Sequence, residues 1–163
     1  MKQDPELTRI QELMKPGKLS ATGFLGEDIR PLSEILEEDR LAVSNLGLSC
    51  HFIAHVLEKL MHKGREGFGN PVRVGVDLVM TVDENRGVVP CPFRHGYLAK
   101  KIDVTVKNVE KSTELRFSDL SIHLIKEHCF FQGKGSVYRV DPQELVNTLD
   151  SFIKDCLRDY KAP

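Results

Sequence analysis

The sequence predicts an α+β fold with N-terminal helices, a small antiparallel sheet of three to four strands, and two C-terminal helices. Three observations lead there. Apolar residues recur at helical spacing between Pro5 and Lys63, Val72 to Val82 alternate at a period of two, and Asp141-Pro142 opens a last amphipathic stretch. At 163 residues the chain is expected to form one domain, burying roughly two thirds of its unfolded surface. Its parts would be a helical layer over 1–66, a sheet over 72–117, and C-terminal helices over 118–158.

The first helix is placed over 5–15, where Asp4 precedes Pro5 at the first helical position and Pro16-Gly17 stops it. The stretch "PGKLSATGFLGEDIR" reads as a connector. Leu32, Ile35, Leu36, Val43 and Leu46 form the stripe of a second helix that ends at Gly47. Ser49 caps a third helix to about Lys63, with Phe52, Ile53, Val56, Leu57, Leu60 and Met61 on one face. "VRVGVDLVMTVDE" reads as one half-buried strand, "GVVP" as a short extended piece, and 101–117 as a hairpin turning at Glu110-Lys111-Ser112-Thr113. Ser118 caps a short helix to about His128. Asp141, Pro142 and Glu144 supply a cap, a first-turn proline and the returning acid of a capping box. Leu145, Leu149, Phe152, Ile153 and Cys156 form the buried stripe of this last helix, making Cys156 a core residue.

No run approaches the roughly 18 apolar residues needed to cross a bilayer, and the start "MKQDPELTRIQELMK" lacks the apolar region of a signal peptide. The expected location is the cytoplasm, without a membrane partner. Cys50, Cys91, Cys129 and Cys156 are then expected as reduced thiols, and no Cys-x-x-Cys pair is present. Net charge is −1, unevenly spread: residues 86–140 contain ten basic and five acidic residues, whereas 1–85 contain ten and fourteen. The cationic middle could attract phosphates or carboxylates, while a pI of 6.6 argues against a dedicated nucleic-acid binder.

Chemistry concentrates in two places. On the helix 118–128, at about 100° per residue, Leu120, His123, Leu124 and Glu127 share one side and Ile122, Ile125 and Cys129 the other. A helix buried on two sides carries its imidazole into a poorly hydrated place, where both ring nitrogens need partners. A metal is one such partner. Its companions would be Cys91 and His95, which bracket the turn "PCPFRHG". The set Cys91, His95, His123 and His128 offers the thiolate and imidazoles that zinc prefers. His123 and His128 lie about 140° apart on an ideal helix, so a fraying last turn is expected to bring them together. The stretch between His95 and His123 far exceeds the roughly twelve residues of a zinc finger.

The second place is the loop "FFQGKGSVYR". Gly133 and Gly135 permit backbone conformations that turn N–H groups towards an anion, and Lys134, Ser136 and Arg139, with Arg94 beside His95, could bind an anionic ligand. Two alternatives stand beside this reading, and the first uses the same residues. A metal-dependent hydrolase would leave a coordination position open and take Glu127 as general base. An interaction module, for RNA or protein and without metal, would use the cationic middle block. His-Glu-x-x-His, Gly-x-Ser-x-Gly and a Walker loop are absent, and "GREGFG" precedes a strand where a dinucleotide fingerprint must follow one. His51, His55 and His62 form a ridge on the third helix that reads as its solvated face.

Overall fold

Helix starts follow their capping chemistry in the computed structural model, which describes residues 2–163. Helix α1 (Pro5–Leu13) opens with Glu6 N–H donating to Asp4 Oδ1 at 2.7 Å, and α3 (Cys50–Arg65) with Phe52 N–H donating to Ser49 Oγ at 3.1 Å. Helix α2 (Leu32–Asn45) has no cap of its own. Its first amides are satisfied from α1 and the residues before it, Leu32 N–H by Gln11 Oε1 and Ser33 N–H by Gln3 Oε1, each at 2.9 Å. Helix α4 spans Asp119–His128 and α5 spans Pro142–Asp159. Asp141 Oδ1 accepts from the amides of Gln143 and Glu144, as an N-cap should. The reciprocal capping box falls at Ser118 and Ser121 of α4 instead of at Asp141 and Glu144.

The sheet is antiparallel in the order β1-β2-β3-β4: Val72–Val74, Leu78–Pro90, Leu98–Asn108 and Thr113–Ser118. The expected single strand over 72–84 is two. Gly75, at φ +62°, turns the chain, and Val72 pairs with Met80 and Val74 with Leu78. Val76 is therefore a turn residue, 75% exposed. The alternation misled because both arms of this hairpin point their apolar residues at the same core. "GVVP" is the continuation of β2, and "PCPFRHG" is the tip between β2 and β3. The far end of the sheet is tied by buried Asn108, whose amide donates to Asp77 Oδ2 at 3.1 Å and to the Thr148 carbonyl of α5 at 2.9 Å.

Two apolar clusters result. The larger joins one sheet face (Met80, Val82, Val104, Phe117) to α3 and α5. The smaller joins α1, α2 and the connector residues Phe24 and Leu25 to Cys91 and Ala99. Helix α4 is the wall between them, with Ile122 and Ile125 in the larger and Leu120 and Leu124 in the smaller, the two-sided burial its sequence requires. Cys156 is buried in the larger cluster. No single helix among the described residues is long and apolar enough to cross a membrane.

The expectation of four reduced thiols is overturned by a disulfide between Cys50 and Cys129, whose Cα atoms lie 5.6 Å apart. It joins the first residue of α3 to the residue that ends α4, 79 positions away. Sequence spacing carries no signal for so distant a pair. Closing a loop of this length restricts the unfolded chain by about 4.5 kcal/mol in the chain-entropy model. Reductant is expected to lower the thermal midpoint, with Cys50 and Cys129 becoming alkylated only after its addition. Alkylation of both beforehand would rule the bond out.

Candidate metal centre

The β2–β3 tip is a closed loop, with Cys91 N–H donating to the Tyr97 carbonyl at 3.0 Å and Arg94 N–H to the Cys91 carbonyl at 3.3 Å. Arg94 takes the left-handed conformation, φ +59°, which continues the turn. The odd positions Cys91, Phe93, His95 and Tyr97 all meet α4 or its histidines, while Arg94 projects to solvent.

His95 Nε2 lies 3.2 Å from Cys91 Sγ, 3.0 Å from His123 Nε2 and 3.1 Å from His128 Nε2, and Cys91 Sγ lies 3.5 Å from His128 Nε2. All four ligand atoms fall within 4.8 Å of one another, so the group could hold a metal ion. Hydrogen bonding alone does not account for the arrangement. An imidazole nitrogen offers one proton or one in-plane lone pair, so His95 Nε2 cannot bond well to three such neighbours. Four donor atoms facing one point is the geometry of a cation shell.

Stacking holds the imidazoles by their faces and leaves their edges free. Tyr97 lies parallel to His123 with ring centroids 3.6 Å apart and an interplanar angle of 3°, and Phe93 lies on His128 at 3.9 Å and 6°. Sequence reasoning missed both aromatics, although the alternation Cys91, Phe93, His95, Tyr97 was a readable signal. His128 is the last helical residue, and Cys129, left-handed at φ +51°, carries the chain away. The helix stays wound through His128, and the two side chains reach the centre from opposite flanks without the expected fraying.

Electrostatics favour neutral imidazoles. Burial, with the neighbouring histidines adding to it, lowers His128 to about 4, and burial followed by His95 lowers His123. Burial pushes the Cys91 thiol up, so a thiolate there requires a cation beside it. Glu127 is exposed and stands outside the ligand group. His51, His55 and His62 lie on the outer face of α3, His62 3.8 Å from Glu58 and His55 against Tyr160.

Of the residues expected to bind an anion, Arg139, Lys134 and Ser136 stand outside the metal group and have partners inside the fold. Arg139, 11% exposed, donates to Asp39 Oδ1 and Oδ2 at 2.8 and 2.9 Å and to the Gln132 carbonyl at 2.6 Å. Lys134 Nζ reaches Glu38 at 3.3 Å, and Ser136 Oγ donates to Gln132 Oε1 at 2.6 Å. Arg94 is exposed on the hairpin tip. The glycines of this loop serve close packing: Gly133 N–H donates to the Phe24 carbonyl, Glu27 N–H to the Lys134 carbonyl, and any side chain at Gly133 would strike the Leu25 backbone.

No family model matches the chain, and neither a curated protein nor a solved structure does. The fold and this cluster of one cysteine and three histidines therefore carry the functional argument on their own.

Proposed function

We propose that Cys91, His95, His123 and His128 hold one zinc ion in a closed structural site, and that the ion staples the β2–β3 tip to the end of α4. The convergence of one sulfur and three Nε2 atoms carries this reading. Zinc bonds of about 2.1 Å to nitrogen and 2.3 Å to sulfur, at tetrahedral angles, give N–N edges of about 3.4 Å and N–S edges of about 3.6 Å. Four of the six edges in the structure, 3.0 and 3.1 Å between nitrogens and 3.2 and 3.5 Å to sulfur, are close to that size, and all six are within 4.8 Å. One thiolate with three neutral imidazoles is a donor set that suits zinc better than the oxygen-seeking cations.

Four protein donors complete a tetrahedron and leave no position for a reactive water, which favours a structural role over a hydrolytic one. The exposed position of Glu127 points the same way. The ion's task would be mechanical: the tip meets α4 through two ligands and two stacked rings, and the metal converts that contact into a covalent-strength tether.

Elemental analysis of untagged protein purified without chelator tests the reading. About one equivalent of zinc is expected in the parent, falling at least tenfold in Cys91→Ser and His123→Ala. Cobalt replacement is expected to give the absorption of a tetrahedral site with one thiolate. Parent protein without bound metal, or variants that keep it, would defeat the proposal.

A further inference from the structure

A second site lies on β2 and β3 at a break in their pairing. Asn85 pairs with Lys101 and Val88 with Lys100, so Arg86 and Gly87 face no partner residue. This bulge takes Arg86 out of the ladder. Gly87, at φ +106°, presents bare backbone there, and the Lys101 side chain lies over it, a Cβ on Gly87 falling 3.4 Å from Lys101 Cε. Arg86, Lys100 and Lys101 all line one cavity of about 390 Å³, within the range of small-molecule sites.

None of these three cations has an ion-pair partner among the described residues, whereas Arg30, Arg65, Arg116, Lys134 and Arg139 all do. The cavity's one carboxylate, Asp103, accepts from Tyr138 Oη at 2.8 Å and lies 3.5 Å from Arg116. Lys100 and Lys101 are consecutive on β3 and point to opposite faces, Lys100 towards Glu84, so Arg86 and Lys101 are the two unpaired cations at the cavity, and an anion between them would relieve their repulsion.

The cavity also holds a buried polar group that faces it. Gln132 is 2% exposed and left-handed at φ +71°, a strained conformation for a residue with a side chain. Its Oε1 accepts from Ser136, while its amide nitrogen has no protein partner among the described residues and yet is not sealed from solvent. Phe24, Val89 and Leu120 add apolar wall.

We infer that this cavity binds a small phosphomonoester, its phosphate on Arg86 and Lys101 and its organic part against Phe24 and Leu120. Guanidinium and ammonium donors match phosphate oxygens, the Gln132 amide adds a directed hydrogen bond, and the apolar wall separates an ester from the free ion. The site needs no metal, and its success or failure is independent of the zinc proposal.

Calorimetric titration of the full chain with phenyl phosphate and with inorganic phosphate at physiological salt tests it. Phenyl phosphate is expected to bind at least several-fold more tightly than inorganic phosphate. Arg86→Ala with Lys101→Ala should weaken it tenfold or more, and Lys126→Ala with Lys161→Ala, which removes equal charge elsewhere, should not. Lys101→Gln alone serves as a milder variant and is expected to give an intermediate loss. Circular dichroism and metal content should be unchanged throughout. No binding by the parent, or equal weakening by the control pair, overturns the inference. So does tight, salt-steep binding of a single-stranded oligonucleotide where neither phosphate binds, which would make the patch a nucleic-acid surface.

Discussion

Chelation of the metal-loaded protein is expected to lower its unfolding midpoint by on the order of 10 °C. An ion present at a thousandfold excess over its dissociation constant stabilises the native state by about 4 kcal/mol, and a domain of this size shifts by about 2–4 °C per kcal/mol. The loss should be local in origin. Residues 91–97 and the last turn of α4 would lose amide protection, while the sheet and α5, held by the larger cluster, would retain it. The metal-free protein should also become acid-sensitive. His128 sits near 4 and His123 below its usual value when folded, while the unfolded chain takes up protons near 6.5, so stability falls as pH drops from 6.5 towards 4. Calorimetric scans with and without chelator across that range measure both effects. Coincident scans at neutral pH would mean that no ion stabilises the fold.

Arg139→Ala is expected to destabilise the protein by about 3–5 kcal/mol, because it leaves a buried carboxylate without its cation. Asp39 on α2 is 3% exposed and takes both guanidinium bonds, and the same guanidinium holds the Gln132 carbonyl. The pair thus fastens α2 to the segment leading into α5. Asp39→Leu combined with Arg139→Met should recover much of the loss, since removing both charges also removes their desolvation cost. Urea unfolding of the two variants decides it. A loss below about 1 kcal/mol for Arg139→Ala would show the pair to behave like an exposed one.

Both predictions rest on groupings that only part of the sequence announced. Helix starts were readable because a cap is a local event: Asp4, Ser49, Ser118 and Asp141 lie within three residues of the amides they serve. The two-sided burial of α4 was readable for the same reason, since helical periodicity fixes which residues share a side. The four metal-ligand candidates were legible as chemistry, one cysteine and three histidines, before their geometry was known. The tip's alternation held Phe93 and Tyr97 as well, and no local rule marks an aromatic as an imidazole's stacking partner.

The cations of the glycine loop show the opposite case, chemistry legible in the sequence whose partners are not. Lys134 and Arg139 stand beside glycines and so resemble an anion loop, but their partners Glu38 and Asp39 are nearly a hundred positions away. Arg86 and Lys101 carry no motif, and a bulge in strand pairing brings them to one cavity. The Cys50–Cys129 disulfide is invisible for the same reason.

The sequence by itself determined the helices, the caps, the α+β class and the identity of the groups able to bind a cation. Tertiary structure alone decided which of those groups meet, which charges are already neutralised, and where β2 breaks its register. The division has one physical cause. Capping, turn and periodicity energies act over a few residues along the chain, whereas ligand shells, buried ion pairs and cavities depend on distances through space that loop closure and core packing set.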